Sequence, residues 1–457
     1  MDTYKGETIN VKGAKLLNSS NIPEEYNKLY EKLIEDLDQL ELSNGSISEY
    51  TQFLGDIIAS SKIFDFSEGI IQQYGHVFDN LIDLFLNNGG KGELIVETIY
   101  SLVIFQTEVF ITALVSKGLL YALNSVLQID DDDEIMTIIL DMLSKIMKSS
   151  RMNHNDVLKI IPASSISSNL RNTENSHIAF MCSNLMVSAF RYHLNDQECI
   201  ELLSACVFII DNDLQDCFEN ALTCIMHLSS RKAKVDDFFN TYRVIDHIFQ
   251  LKDYSNYINT TICIIIANTA PIDEICFSFD PGFILDYLNH ETQDLVSAAA
   301  TCIDKLAQYR LQLFDNYNIF SIVNDMIAIF ERSKYSTRVF ISKSIISLAY
   351  KISIDDLHFA CENGVINILS FYANEVDIQN IHDLIDILNQ VFSFSLSNNT
   401  SHIVISLFEE DGGFEALKSF HDKNETNSLY ITRYWKEVEE FLVRYFFDNV
   451  RLELSNV

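Results

Sequence analysis

The chain has 457 residues, 65 acidic against 32 basic, for a formal net charge of −33; 48% of residues are hydrophobic, with only 14 Gly and 4 Pro. A field of that sign repels nucleic-acid backbones and anionic membrane surfaces and steers basic partners in, while also keeping long helices solvated. So few Gly and Pro exclude a loop-rich or low-complexity architecture and favour helices joined by short turns.

The chain opens on the polar Met1-Asp-Thr-Tyr-Lys-Gly, with no apolar run behind it of the kind a secretory signal needs. Residues 1–20 are expected to be flexible, and the protein to be cytoplasmic, nuclear or both. From Glu24 to Leu42, Leu29, Tyr30, Leu33, Ile34, Leu37 and Leu40 recur at three- and four-residue steps. That spacing predicts an amphipathic helix, within an N-terminal cap over 21–49 that Ser-Asn-Gly-Ser at 43–46 ends. From 50 to 447 the pattern is helix, short polar break, helix, with no Pro/Ser-rich linker. One continuous array is therefore expected, with a short tail over 448–457.

Along that array, several segments invite chemistry and each has a plainer reading. Asn88-Gly-Gly-Lys-Gly92 lacks the spacing of a phosphate loop and a strand before it, so it reads as an inter-helix turn. Leu94–Leu127 is the longest apolar run, but Glu97, Gln106, Glu108 and Lys117 interrupt it, and a membrane span wants about 20 apolar residues. Asp130-Asp-Asp-Asp-Glu134 and Asp211-Asn-Asp213 lack the alternating ligands and Gly of a calcium loop, and read as helix caps. The nine cysteines lie between Cys182 and Cys361, form no CxxC, and sit in apolar runs, as Cys206 and Cys224 do; they read as buried free thiols of a reducing compartment. No HExxH or GxSxG occurs. No catalytic residue, metal site or cofactor is therefore expected, and the chain is expected not to be an enzyme.

One unit is legible in detail at 357–394. Leu357 to Gly364 is a short first helix closed by a Gly suited to the left-handed conformation, Val365 opens a second helix, and Ile378 to Phe392 is a long third one. The same junction is read at Gly118, Gly282 and Gly413. Aligning the third helices places Thr98, Asp141, Asn184, Thr223, Ile264, Thr301, Ser344 and Asp386 in one slot, at steps of 43, 43, 39, 41, 37, 43 and 42 residues. Four residues on, the partner slot holds Leu102, Lys145, Ser188, His227, Asn268, Lys305, Leu348 and Gln390. A helical repeat of about 40 residues predicts an all-α, armadillo-like, right-handed superhelical solenoid of about nine repeats. If the third helices line its concave groove, the binding candidates there are Thr98, Asp141, Lys145, Asn184, Thr223, His227, Asn268, Thr301, Ser344, Asp386 and Gln390.

Near the end, Glu410-Asp-Gly-Gly-Phe-Glu-Ala-Leu-Lys-Ser-Phe-His421-Asp-Lys-Asn424, followed by Leu429-Tyr430, is similar to the last repeat of the importin-α (karyopherin-α) family. That resemblance implies an armadillo fold and a groove in which stacked Trp and Asn side chains hold a basic localisation peptide. In this chain the Trp slots hold Thr, Asp, Asn, Ile and Ser, the single Trp is Trp435, and the first fifty residues carry no basic arm. The reading from the residues is a non-catalytic scaffold or adaptor for a protein or extended peptide, of basic character if the charge decides, with no nucleic-acid or membrane partner. The alternative implied by the resemblance is a diverged importin-α-like transport adaptor without the Trp ladder or the basic arm.

Overall fold

Apolar residues at three- and four-residue steps become helices throughout the structure, a computed structural model. It describes residues 24–42, 47–63, 65–66, 68–87, 92–129, 132–192, 194–231, 235–275, 277, 279–376, 380–398, 400–424 and 432–447. No strand occurs among them. The expected flexible start, the tail, Leu429-Tyr430 and most of the 88–92 turn lie outside the described residues.

The chain divides into two compact bodies, residues 1–227 and 228–457. In the first, α1 (Glu24–Leu42) and α2 (Ile47–Ser61) precede three-helix units: α3 (Glu68–Gln73), α4 (Gly75–Asn87) and α5 (Glu93–Ile104); then α6 (Glu108–Ser116), α7 (Leu119–Ile129) and α8 (Asp133–Ser149); then α9 (Arg151–Ile160), α10 (Ala163–Asn172) and α11 (Ser176–Ala189). A single longer α12 (Asp196–Asp211) replaces the first two helices before α13 (Phe218–Ser229). The second body holds α14 (Val235–Thr241), α15 (Val244–Phe249) and α16 (Asn256–Thr269), then α17 (Gly282–Tyr287) with α18 (Gln293–Tyr309), and α19 (Ile319–Arg332) with α20 (Tyr335–Ala349). Two full triplets close it: α21 (Ile354–Ala360), α22 (Ile366–Glu375) and α23 (Ile381–Ser397), then α24 (Ser401–Glu410), α25 (Gly413–Asn424) and α26 (Thr432–Leu442).

The last helix of each unit packs on the last helix of the next: α2, α5, α8 and α11 in the first body, α16, α18, α20, α23 and α26 in the second. Side-chain bonds repeat the same step. Tyr100 reaches Asp141 over 41 residues, Asn175 reaches Asp133 over 42, Ser297 reaches Thr337 over 40, and Ser347 reaches Asp304 over 43. A polar bond that skips one unit length is what a stack of repeats produces, because each unit buries its face only on its neighbours. The fold is an all-α, armadillo-like solenoid.

Local details follow the chemistry of the caps. Asp132 caps α8, its Oδ1 accepting from the Glu134 N–H at 2.9 Å. The Asp211–Asp213 segment instead closes the C-terminal end of α12, with Asp213 at φ +53°. Gly364 takes φ +124° in the kink between α21 and α22, as the sequence predicts. Gly118, between α6 and α7, likewise takes φ +98°. The other two junctions differ. Gly282 opens α17 after Pro281 without a left-handed φ, and near 410 the left-handed residue is Gly412, at φ +79°. Gly413 is required for another reason: a Cβ there would stand 2.4 Å from Cε2 of the fully buried Phe408. The long third helix of that unit starts at Ile381, three residues beyond the expected Ile378.

All eight described cysteines are free and buried, Cys206 and Cys224 completely, and burial pushes the Cys224 thiol well up. No single described helix is long and apolar enough to cross a bilayer; α6 and α7 together have the apolar length but bend by 69° at their junction. Phe110, Ile111, Leu114, Leu119, Leu120 and Leu123 of this pair are buried in the first body.

Candidate functional site

The exposed side of the third-helix row is where the aligned slots lead. In the first body Asp141 and Lys145 of α8, Asn184 of α11, and Thr223 and His227 of α13 are partly exposed. The Tyr100 hydroxyl donates to Asp141 Oδ2 at 2.8 Å, and burial together with that carboxylate raises the phenol to about 12. Asn220 Nδ2 donates to Asn184 Oδ1 at 2.9 Å and to Ser183 Oγ at 2.8 Å, so an amide ladder crosses from α11 to α13. Sequence alignment by single slots passed over Tyr100 and Asn220. For Asn220 the signal available was spacing, since it lies three residues before Thr223 and shares that helix face; Tyr100 lies two residues from its slot, on another face, and only the packing of α5 on α8 brings it to Asp141.

Thr98 does not reach that surface. It is fully buried, and its hydroxyl donates to Leu94 O at 2.6 Å. Glu97 and Tyr100 face outward from α5 instead. In the second body Ser344 is likewise fully buried, donating to Ala300 O at 2.5 Å and to Phe340 O at 3.0 Å. The run Ala298-Ala-Ala300 has no bulk to hold α20 away, so α20 approaches closely and turns Ser344 inward. Lys343 then takes the outer side of α20. Thr301, Asn268 and Asp386 are partly exposed and Gln390 is exposed. Asn268 Nδ2 donates to Ser229 Oγ at 3.1 Å.

At the end of the second body the row opens into a cleft of about 200 Å³, lined by His382, Ile385, Asp386, Asn389, Glu437, Glu440, Phe441 and Arg444. Three carboxylates face one guanidinium across it, with an amide and an aromatic wall. His382 Nδ1 lies 2.8 Å from Glu437 Oε2, tying α23 to α26. The cleft is smaller than the roughly 300 Å³ at which drug-sized ligand pockets begin, and suits one long side chain. Beside it, Asp304 is buried and accepts from Ser347 Oγ at 2.5 Å and Gln308 Nε2 at 2.8 Å, with Lys305 Nζ 3.3 Å away. Burial pushes the Tyr350 phenol upward, with Asp383 and Asp386 beside it adding to the shift. The carboxyl of Asp383 is also raised, first by its burial.

No group of three or more His, Cys, Asp or Glu side chains placed to hold a metal ion occurs among the described residues. What the row offers is a line of amides and hydroxyls that can hold an extended backbone, and carboxylates that can receive a cation.

No protein-family profile matches the chain, and no curated protein matches it in sequence. Solved structures do. A crystallised engineered protein from the Northeast Structural Genomics Consortium superposes with a TM-score of 0.68 at 12% identity, covering 90% of this chain and 98% of its own. A designed armadillo repeat protein in complex with the peptide (KR)4 gives 0.44 at 13% identity over 52% of this chain and 98% of its own. The first likeness bears out the fold over most of the chain's length.

Proposed function

We propose that this protein is a non-catalytic scaffold or adaptor that holds an extended segment of another protein along the exposed side of its third-helix row. The observation that carries the reading is the continuity of the row's polar side chains with the acidic cleft. Asn268, Thr301, Lys305 and Gln390 supply backbone partners, and Asp386, Glu437 and Glu440 supply a seat for a basic side chain. The net charge of −33 favours the same class of partner and disfavours nucleic acid and anionic membranes. Buried free thiols suit a cytoplasmic or nuclear setting.

Titration calorimetry of the full chain with an arginine- and lysine-rich peptide tests this. Binding is expected, weaker at higher salt, and reduced in the Asp386→Asn/Glu437→Gln variant. Binding that ignores this variant would place the peptide elsewhere, and no binding would remove the basic-peptide reading.

The narrower reading, an importin-α-like transport adaptor, rests on the resemblance at 410–424. Trp435 is stacked on His421 with ring centres 4.5 Å apart, inside the last unit. The rest of the row supplies no indole, and each missing cation–π contact is worth about 0.5–2 kcal/mol. A localisation peptide is therefore expected to bind no tighter than about 10 μM at physiological salt. Submicromolar binding in the same titration would make the transport reading the better one.

A further inference from the structure

The acidic cleft also holds a cation that its carboxylates do not bind. His382, Asp386 and Asn389 of α23 line one wall; Glu437 and Glu440 of α26 line the other, with Arg444 in the turn Val443–Phe447 that continues α26. Contacts at both ends fix the register of the two walls. At the start, His382 Nδ1 lies 2.8 Å from Glu437 Oε2. At the finish, the Tyr445 hydroxyl lies 2.7 Å from Ser393 Oγ and donates to Asn389 O at 3.4 Å. The helices therefore run in the same direction, with Asp386 level with Glu440 and Asn389 level with Arg444. One end of the cleft is carboxylate on both sides; the other sets an amide beside a guanidinium.

These opposite charges stay apart. Glu440 and Arg444 are four residues apart, the spacing at which a regular helix joins an acid to a following arginine. The turn Val443–Phe447 is wound as a π-helix, one residue wider, which shifts Arg444 out of step. Its guanidinium lies 5.4 Å from the Tyr445 ring centre. Neither Asp386 nor Glu440 has a cation of a described residue within the 4 Å of an ion pair. Asp386 accepts from Gln390 Nε2 at 3.2 Å, and the Asn389 side-chain amide makes no hydrogen bond to a described residue. Glu440 and Arg444 are exposed, Asp386 and Asn389 partly so, around a space of about 200 Å³.

We infer that the cleft takes the C-terminal residue of the bound segment, a basic one: its side chain enters between Asp386 and Glu440, and its terminal carboxylate is held by Arg444 and the Asn389 amide. The inference rests on the peptide-binding reading above and adds to it where the bound segment ends. A basic residue within a chain brings a cation alone and leaves Arg444 facing it, like charge against like. A C-terminal arginine or lysine brings both charges, and a guanidinium grips a carboxylate with two parallel bonds. The two ends of the cleft lie about one helical turn apart, roughly 5 Å along the axes, within reach of one long side chain from its own carboxylate. Capture of a terminal carboxylate is a recurring mode of peptide recognition. Among the described residues α26 is the last helix of the row, so a segment lying along the row finishes here.

Fluorescence anisotropy with the full chain tests it. The probe is a peptide of neutral residues ending in arginine, prepared with a free C-terminal carboxylate, with a C-terminal amide, and with several neutral residues added after the arginine. The free acid is expected to bind about tenfold tighter than the other two, the scale of one charge-assisted contact. Arg444→Gln should remove that advantage, so that acid and amide bind alike; an unchanged thermal melt verifies that the variant is folded, and the comparison of acid with amide on the parent chain needs no variant. Equal binding of acid and amide by the parent overturns the inference, as does an advantage that survives in folded Arg444→Gln. Displacement of the peptide by free L-arginine at the peptide's own Kd also overturns it, by making the cleft a site for the free amino acid. Run beside the titration with the arginine- and lysine-rich peptide, the outcomes separate: if that peptide binds and a free terminus brings no preference, only this inference falls; if every basic peptide fails, the peptide-binding reading falls as well.

Discussion

At the scale of single residues, the carboxylates of the second body are under tension between burial and charge. Asp383 stands in the first turn of α23, where a helix N-terminus favours its ionised form, yet its carboxyl is raised above the usual range. Burial is the first cause. Asp304 and Asp386 add to it, and His382 and Lys305 offset part of it. A raised folded-state pKa means the folded protein holds the proton more tightly than the unfolded chain does. The associated stability is full below the unfolded value of about 3.9 and is lost as pH rises through the folded one. Asp383→Asn, which cannot ionise, should therefore gain on the parent at pH 7, and the gain should vanish near pH 4. Thermal melts of both proteins at the two pH values measure it. The same difference at both would mean that the surroundings do not raise the carboxyl's pKa.

At the scale of elements, helix ends are completed by the neighbouring unit. The last carbonyls of a helix have no partner within it, and here the next repeat supplies one. A helix of the same unit can do this too: His154 of α9 donates through Nε2 to Ala189 O at the end of α11, at 2.8 Å. Arg310, just after α18, does more. Its Nε donates to Ala270 O at 3.0 Å at the end of α16, a second nitrogen donates to Ile272 O, and its guanidinium lies 5.5 Å from the Phe277 ring centre. Arg310→Ala leaves two carbonyls without their donor and should cost about 2–3 kcal/mol. Arg310→Lys should recover only part of it, because an ammonium cannot span both acceptors as a fork does. Urea denaturation of the three proteins gives the numbers, and full rescue by lysine would show that charge rather than geometry matters.

At the scale of the whole molecule, the excess of acid is a cost as well as a means of attraction. Described ion pairs such as Lys32–Asp56 and Lys351–Asp315 are solvent-exposed and contribute little each. A net charge of −33 is thus left largely uncompensated, and self-repulsion works against compact states. Added salt should then raise the melting temperature, most steeply as the Debye length falls from about 30 Å at 0.01 M to about 10 Å at 0.1 M. The same salt should slow association with a basic peptide, so stability and binding should move in opposite directions. A melting temperature that falls over that range would show that attractive pairs, and not net repulsion, dominate the chain's electrostatics.

What the sequence determined by itself is the repeat. The step of about 40 residues, the helical period of the apolar positions, the Gly364 turn, the Asp132 cap and the buried cysteines all depend on local pattern, and local pattern is written in adjacent residues. Asp141, Asn184, Asn268 and Asp386 are partly exposed on their helices. Only the tertiary structure decided how far each third helix is rotated. A turn of one residue, about 100°, moves a side chain from groove to core, and it is set by the bulk of the helix packed alongside. That is why Ser344, against the alanines of α18, is buried while Thr301, in the same slot one unit earlier, is open. The acidic cleft was illegible for the same reason. It joins residues of α23 and α26 from separate units, and only the stacking of one helix on the next brings them together.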